Sequence, residues 1–224
     1  RADISGWDEA AKTELSHLPK TEFVGYETTA AEAKVLAILG EDGFAEETDG
    51  GDSVVILNAT PFYGESGGQV GDSGELQTPN ATVRVNDTKK NDGVILHMCH
   101  IAEGTLRVGD TVHAAVDAPR REAIRKNHSA VHLLQGALRR VLGNHIEQAG
   151  SYVDEERLRF DFTHYQAMTT EELQAAEQAV NAAIFAAVPV QTIETDIETA
   201  RKNGAMALFG EKYGKVVRMV KMGE

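Results

Sequence analysis

Arg120-Arg121-Glu122-Ala123-Ile124-Arg125-Lys126-Asn127-His128-Ser129-Ala130-Val131-His132-Leu133-Leu134, continuing to Leu142, is the stretch on which the fold turns. Ile124, Val131, Leu134, Leu138 and Val141 recur at helical spacing. With Pro119 just before the run and Gly143 just after it, the spacing predicts a long helix over 120–142. Before Pro119 the pattern is different. Short runs at 22–28, 34–39, 43–47, 53–57, 74–76, 82–89, 94–100 and 111–116 are separated by turns rich in Gly, Asp and Glu, with no long helix among them. Such a series points to a small antiparallel barrel or sandwich.

After Gly143 the elements alternate. A strand pair over 151–164 carries Leu158, Phe160 and Phe162 in alternation. An Ala-rich helix capped by Thr170 runs to Ala187 and is closed by Pro189. A strand at 190–196, a short helix at 198–206 and a strand at 215–220 complete a mixed α/β unit. A short helix over 5–18, with Ser5 as its cap and Trp7, Ala10, Ala11, Leu15 and Leu18 on one face, precedes the barrel. The expected class is therefore α+β: residues 1–20 a helical tail, 21–118 a small antiparallel β-barrel, and 119–224 an α/β domain.

The 224 residues carry 35 acidic and 22 basic side chains, for a formal charge of -13, which excludes a polycationic protein. The charge is uneven. Residues 1–80 hold 16 acidic and 4 basic groups, whereas the run from Arg120 to Arg140 holds six basic residues against one acidic, so a surface for anionic ligands is possible there. The single Cys99 excludes an internal disulfide and a multi-cysteine zinc site, and fits a reducing, cytoplasmic compartment. No apolar run reaches membrane-spanning length and no targeting peptide is recognisable, so no membrane partner is expected. The chain starts at Arg1 without Met and stops just after an alternating stretch, so both ends are expected to be cut from a longer protein.

His128 and His132 lie four apart in the predicted helix, which puts both imidazoles on one face, where they could converge on a cation such as zinc or serve as ordinary helix histidines. Ser129 follows His128, so the pair is not a His-Glu-x-x-His protease helix. In Leu96-His97-Met98-Cys99-His100, strand alternation sends His97 and Cys99 to one face and His100 to the other, which favours a buried thiol and packed imidazoles over a shared metal. Gly64-Glu65-Ser66-Gly67-Gly68-Gln69-Val70-Gly71-Asp72 could offer backbone donors to an anion, or could be a tight barrel turn; it is neither a P-loop nor a dinucleotide fingerprint. Arg121, Arg125 and Lys126 could meet RNA phosphates, or be solvated helix charges.

Three phrases, Thr60-Pro61-Phe62-Tyr63-Gly64-Glu65-Ser66-Gly67-Gly68-Gln69 with Gly71-Asp72, Asn127-His128-Ser129-Ala130-Val131-His132-Leu133-Leu134, and Arg157-Leu158-Arg159-Phe160-Asp161-Phe162, resemble in order and separation the editing region of the alanyl-tRNA synthetase family. The resemblance runs from about residue 22 to the C terminus. It implies a barrel followed by an editing domain of the type shared with threonyl-tRNA synthetases, truncated at its C-terminal end, with synthetase catalytic and C-terminal regions elsewhere in the parent chain. It implies hydrolysis of Ser-tRNA(Ala) and Gly-tRNA(Ala) by a deacylase, the parent attaching alanine to tRNA(Ala) with ATP and Mg2+; a non-catalytic tRNA-docking or structural fragment is the alternative. His128 and His132 would be zinc ligands in a complete site, zinc being weak or absent in this chain because the family's Cys-Gly-Gly-Thr-His motif is missing. They and Gln148 would be catalytic. Gly67, Gly68, Gln69 and Val131 would contact substrate, Val131 standing where the family commonly has Thr.

Overall fold

The computed structural model describes residues 9–203, 205 and 216–222. Ser5, Met206 and Lys215, at which the sequence places helix and strand ends, and Trp7, which it places on the face of the first helix, lie outside the described residues. The chain divides into two compact units at His128/Ser129, with Tyr152–Arg157 belonging to the first.

In the first unit, α1 (Glu9–His17) precedes eleven strands: β1 (Glu22–Phe23), β2 (Ala30–Gly40), β3 (Gly43–Ala45), β4 (Glu47–Thr48), β5 (Asp52–Leu57), β6 (Ala59–Thr60), β7 (Gly74–Thr78), β8 (Ala81–Asn91), β9 (Val94–Gly104), β10 (Leu106–Arg107) and β11 (Thr111–Val116). The sheet runs β11-β7-β8-β9-β5-β2-β3, and β11 also pairs with β2, which closes a six-stranded antiparallel barrel. Closure leaves no bare edge among these six. One side of β2 pairs with β5. Its other side is shared: residues 30–34 take β11 and residues 38–40 take β3.

Alternation sorts the side chains. Val55 and Leu57 of β5, Cys99 and Ile101 of β9, and Val83 and Val85 of β8 fill the main core. Val54, Ile56, Val94 and Leu96 point to the opposite face, where Leu15 of α1 covers them. A register shift between Val35 and Ala37 changes the parity of β2, so that Val35 and Ile38 belong to the main core while Ala37 and Leu39 join the outer cluster.

α2 (Ala118–Leu142) leads from the first unit into the second. β12 (Gln148–Val153) and β13 (Leu158–Phe162) form a two-stranded sheet, followed by α3 (Thr170–Phe185), β14 (Val190–Asp196), α4 (Ile197–Lys202) and β15 (Val216–Met222). The cap of α3 is Thr169 rather than the expected Thr170. Its hydroxyl accepts from the Glu172 N–H, and the Glu172 carboxylate accepts from the Thr169 N–H, a reciprocal box that fixes the start one residue earlier. β14 and β15 pair antiparallel along their full lengths.

Candidate functional site

The loop before β7 is built around a turn. Ser66 and Gln69 exchange backbone hydrogen bonds of 3.2 and 3.0 Å, and the two residues between them, Gly67 and Gly68, have φ of 58° and 83°. Two consecutive positive φ values are those of a type I′ hairpin turn, which glycine adopts without strain. Gly67→Ala or Gly68→Ala is expected to destabilise the first unit by about 1–2 kcal/mol each, read from urea unfolding, because each places a Cβ in the left-handed region. An unchanged midpoint would contradict the turn.

The loop is held along its length. The Val153 N–H donates to Gly68 O at 2.8 Å and the Val70 N–H to Val153 O at 3.1 Å. Gln69 is buried, and its Oε1 lies 2.6 Å from His128 Nδ1. An amide oxygen can only accept, so Nδ1 is the donor of this hydrogen bond. The loop thus sets the direction of the His128 ring. Asn127 donates to Asp154 O at 2.9 Å, and Arg120 to Gly71 O and to Glu155, each at 2.9 Å. The Arg120 hydrogen bond holds the Glu155 carboxyl below the usual range.

Arg121 belongs to the interior. It is 8% exposed and Asp72 1%, and the guanidinium binds both carboxylate oxygens while donating to Gly25 O at 3.0 Å and Pro61 O at 2.8 Å. Asp72 also accepts from the Tyr63 N–H at 2.6 Å, and its carbonyl accepts from Thr88 Oγ1 at 2.9 Å. The expected phosphate contact of Arg121 is therefore replaced by a buried junction between α2 and the glycine-rich loop. In the sequence, Asp72 and Asn127 figure only as members of the quoted motifs, and Arg120 only as part of the basic run, none of them with the partner it has here. Their signal there is the placement of an acid directly after the glycine-rich run and of polar groups on the helix that follows the barrel. Arg125 and Lys126 are exposed, Arg125 lying 3.3 Å from Glu122.

Elsewhere in the first unit, the buried His97 Nδ1 donates to Val55 O at 2.8 Å, and Nε2 accepts from Thr60 Oγ1 at 2.8 Å. Burial pushes its pKa down to about 4, so the ring is a neutral packing group. Cys99 is buried beside it, and burial pushes its thiol pKa up. His100 is exposed and paired with Asp52 at 2.8 Å. In the second unit, Val131 is buried and Gln148 donates to Ser151 Oγ at 3.0 Å. His132 is exposed, and desolvation by its surroundings lowers its pKa. The loop and His128 are thus brought together in one unit, while Val131, His132 and Gln148 belong to the other. Among the described residues, no group of three or more His, Cys, Asp or Glu is placed to hold a metal ion. The two imidazoles of α2 are half of a tetrahedral ligand set, so the described residues alone do not fit a zinc centre.

Residues 3–120 match the model of the family described as tRNA synthetases class II (A). The chain is 53% identical over 222 residues to the alanine–tRNA ligase of Acetivibrio thermocellus, which covers 98% of this chain and 25% of that protein. It is 53% identical over 204 residues to the alanine–tRNA ligase of Pseudomonas fluorescens, covering 91% and 23%, and 48% identical over 225 residues to that of Alkaliphilus oremlandii, covering 100% and 26%. The chain spans about a quarter of the length of these curated relatives.

The family match corrects the resemblance. It begins at residue 3, ahead of the residue-22 start on which a separate editing region rested, and it takes in the whole barrel under a synthetase model. Recognition as a C-terminal editing region, the threonyl/alanyl editing-type fold class, hydrolysis of Ser-tRNA(Ala) and Gly-tRNA(Ala), and a deacylase as the enzyme class are overturned by it. What the match supports is a β-barrel lying within the span of a class II tRNA synthetase model, with an α/β region following it in the chain. Part of the misleading motif has a structural duty: Gly67 and Gly68 make a tight turn, and Asp72 anchors Arg121. Among the described residues, no helix is long and apolar enough to cross a membrane.

Proposed function

We propose, from the premise that the chain belongs to the class II (A) tRNA synthetases, that it serves the attachment of alanine to tRNA(Ala) as a segment of a cytoplasmic alanine–tRNA ligase. The observation that carries this reading is the 53% identity to an alanine–tRNA ligase over 98% of the chain. ATP and Mg2+ belong in this reading to the reaction of the parent ligase. The contribution of this segment is to hold tRNA, with the exposed Arg125 and Lys126 of α2 lying against backbone phosphates. The buried Arg121–Asp72 contacts and the half-buried contact of Arg120 with Gly71 O fix the first turns of α2 on the barrel, so these two cations are presented from a rigid base.

In the full-length ligase, Arg125→Ala combined with Lys126→Ala is expected to raise the KM for tRNA(Ala) in ATP-dependent alanylation about three- to tenfold. The salt slope of tRNA binding should fall by about 1–2. Alanine activation, measured by ATP–pyrophosphate exchange without tRNA, should be unchanged. An unaltered KM and salt slope would place the tRNA path elsewhere. Undiminished charging of tRNA(Ala) by a ligase lacking this segment would overturn the role in aminoacylation.

A further inference from the structure

The second unit carries a group of rings that none of the contacts above uses. His145 and Tyr165 stack with centroids 4.6 Å apart and planes 25° apart, and His145 and His164 stack at 5.2 Å and 18°. The two imidazoles are joined by a hydrogen bond of 2.9 Å between His145 Nε2 and His164 Nδ1. Phe162 lies behind, 6.5 Å from His164. This is an ordered set of rings. Yet Tyr165, at its outer side, is 85% exposed.

A surface tyrosine normally loses side-chain freedom only when something covers it. Here the ring is already held by its neighbours while most of its surface stays in water, so a flat ligand would meet a platform whose ordering cost has been met. Two further observations bear on the ligand. His164 Nε2 is buried without a hydrogen-bond partner, which leaves polar capacity inside the cluster. Cations stand next to it in the chain: Arg139 and Arg140 end α2, and Arg139 reaches Asn144 O at 3.4 Å, the residue before His145. An exposed aromatic face stacked on His145, with a guanidinium held at the preceding residue Asn144, is an arrangement that can receive an unpaired base and its phosphate.

We infer that Tyr165, supported by His145 and His164, is a stacking platform for an unpaired nucleobase of single-stranded RNA, with Arg139 and Arg140 on the adjoining phosphate. The inference rests on the tRNA-binding reading and gives it a second, base-directed contact. Stacking recognises the π-face, so the platform takes any base and prefers purines.

The test uses the 224-residue chain with three labelled probes at low salt: hexaadenylate, an abasic ribose-phosphate strand of the same length, and a short RNA duplex. Hexaadenylate should bind about tenfold more tightly than the abasic strand, and the duplex should show no such advantage. Tyr165→Ala should remove most of that difference, a five- to tenfold loss confined to hexaadenylate, whereas Tyr165→Phe and Tyr165→Trp should keep it. Arg139→Gln with Arg140→Gln should weaken both strands alike and flatten their salt dependence. Because Tyr165 is exposed, its variants should melt with the parent, which thermal unfolding of the same samples checks. Equal affinity for the two strands, or an undiminished difference in Tyr165→Ala, overturns the platform. If that happens while the Arg125 and Lys126 substitutions still raise the KM for tRNA(Ala), the platform alone falls. Undiminished charging without the segment would instead remove the ligase reading, and base stacking would still be measurable by itself.

Discussion

Asp72→Ala is expected to destabilise the first unit by about 3–5 kcal/mol in urea unfolding, the range for breaking a buried ion pair by removing one partner. The substitution leaves the buried Arg121 guanidinium with only the carbonyls of Gly25 and Pro61 to receive it, and it removes the carboxylate that accepts from the Tyr63 N–H. Arg121→Met alone should cost a similar amount, because the carboxylate of Asp72 would then be buried opposite a thioether. The double variant Asp72→Leu, Arg121→Met should recover much of the loss, since neither charge remains to be solvated. A loss below about 1 kcal/mol in either single variant would show that water reaches the pair.

Acidification should expose a second large effect. His97 has a folded pKa of about 4 against an ordinary value of 6.5, so between those pH values the unfolded chain binds a proton that the folded chain refuses. Stability linked to this ring is fully present above pH 6.5 and declines as pH falls toward about 4. The total is on the order of 3 kcal/mol, at about 1.4 kcal/mol for each tenfold difference in proton affinity between the folded and unfolded ring. Other groups titrate in the same range, so the readout is a difference. His97→Leu should lower stability at pH 7, because Thr60 Oγ1 and Val55 O lose a partner, and its pH profile from 6.5 to 4 should be flatter than that of the parent by that amount. Parallel profiles would mean that the folded protein admits the proton.

The barrel is legible in the sequence to the extent that alternation is a local signal. The runs around 53–57, 94–100 and 111–116 correspond to β5, β9 and β11, and the opposite facing of Cys99 and His100 follows from the pleat alone. The long helix between Pro119 and Gly143 is equally local. The pairing of distant groups is not legible in this way. Arg121 and Arg125 look alike in sequence; one is interior and the other exposed because Asp72, 49 positions earlier, is folded against the first. The one-residue error at the start of α3 has a smaller cause: Thr169 and Thr170 are adjacent hydroxyls, and only the position three before Glu172 completes the reciprocal cap. The resemblance rested on the glycine run, the histidine pair and the phrase over 157–162. Motifs of this kind carried the synthetase family, which the comparisons support, but not the region within it, because each reports a local conformation.

The closing seam of the barrel joins residues 30–34 to residues 111–115, across about eighty intervening positions. On a ribosome adding about 5–20 residues per second, the N-terminal half of β2 is made roughly 4–16 s before the strand that covers it. During that interval the nascent chain displays an unpaired β-edge next to apolar residues that will become core. Formation of the barrel is thus timed by the appearance of its last strand, and a chaperone that shields extended apolar segments should be recruited within that window and released soon after residue 116 emerges.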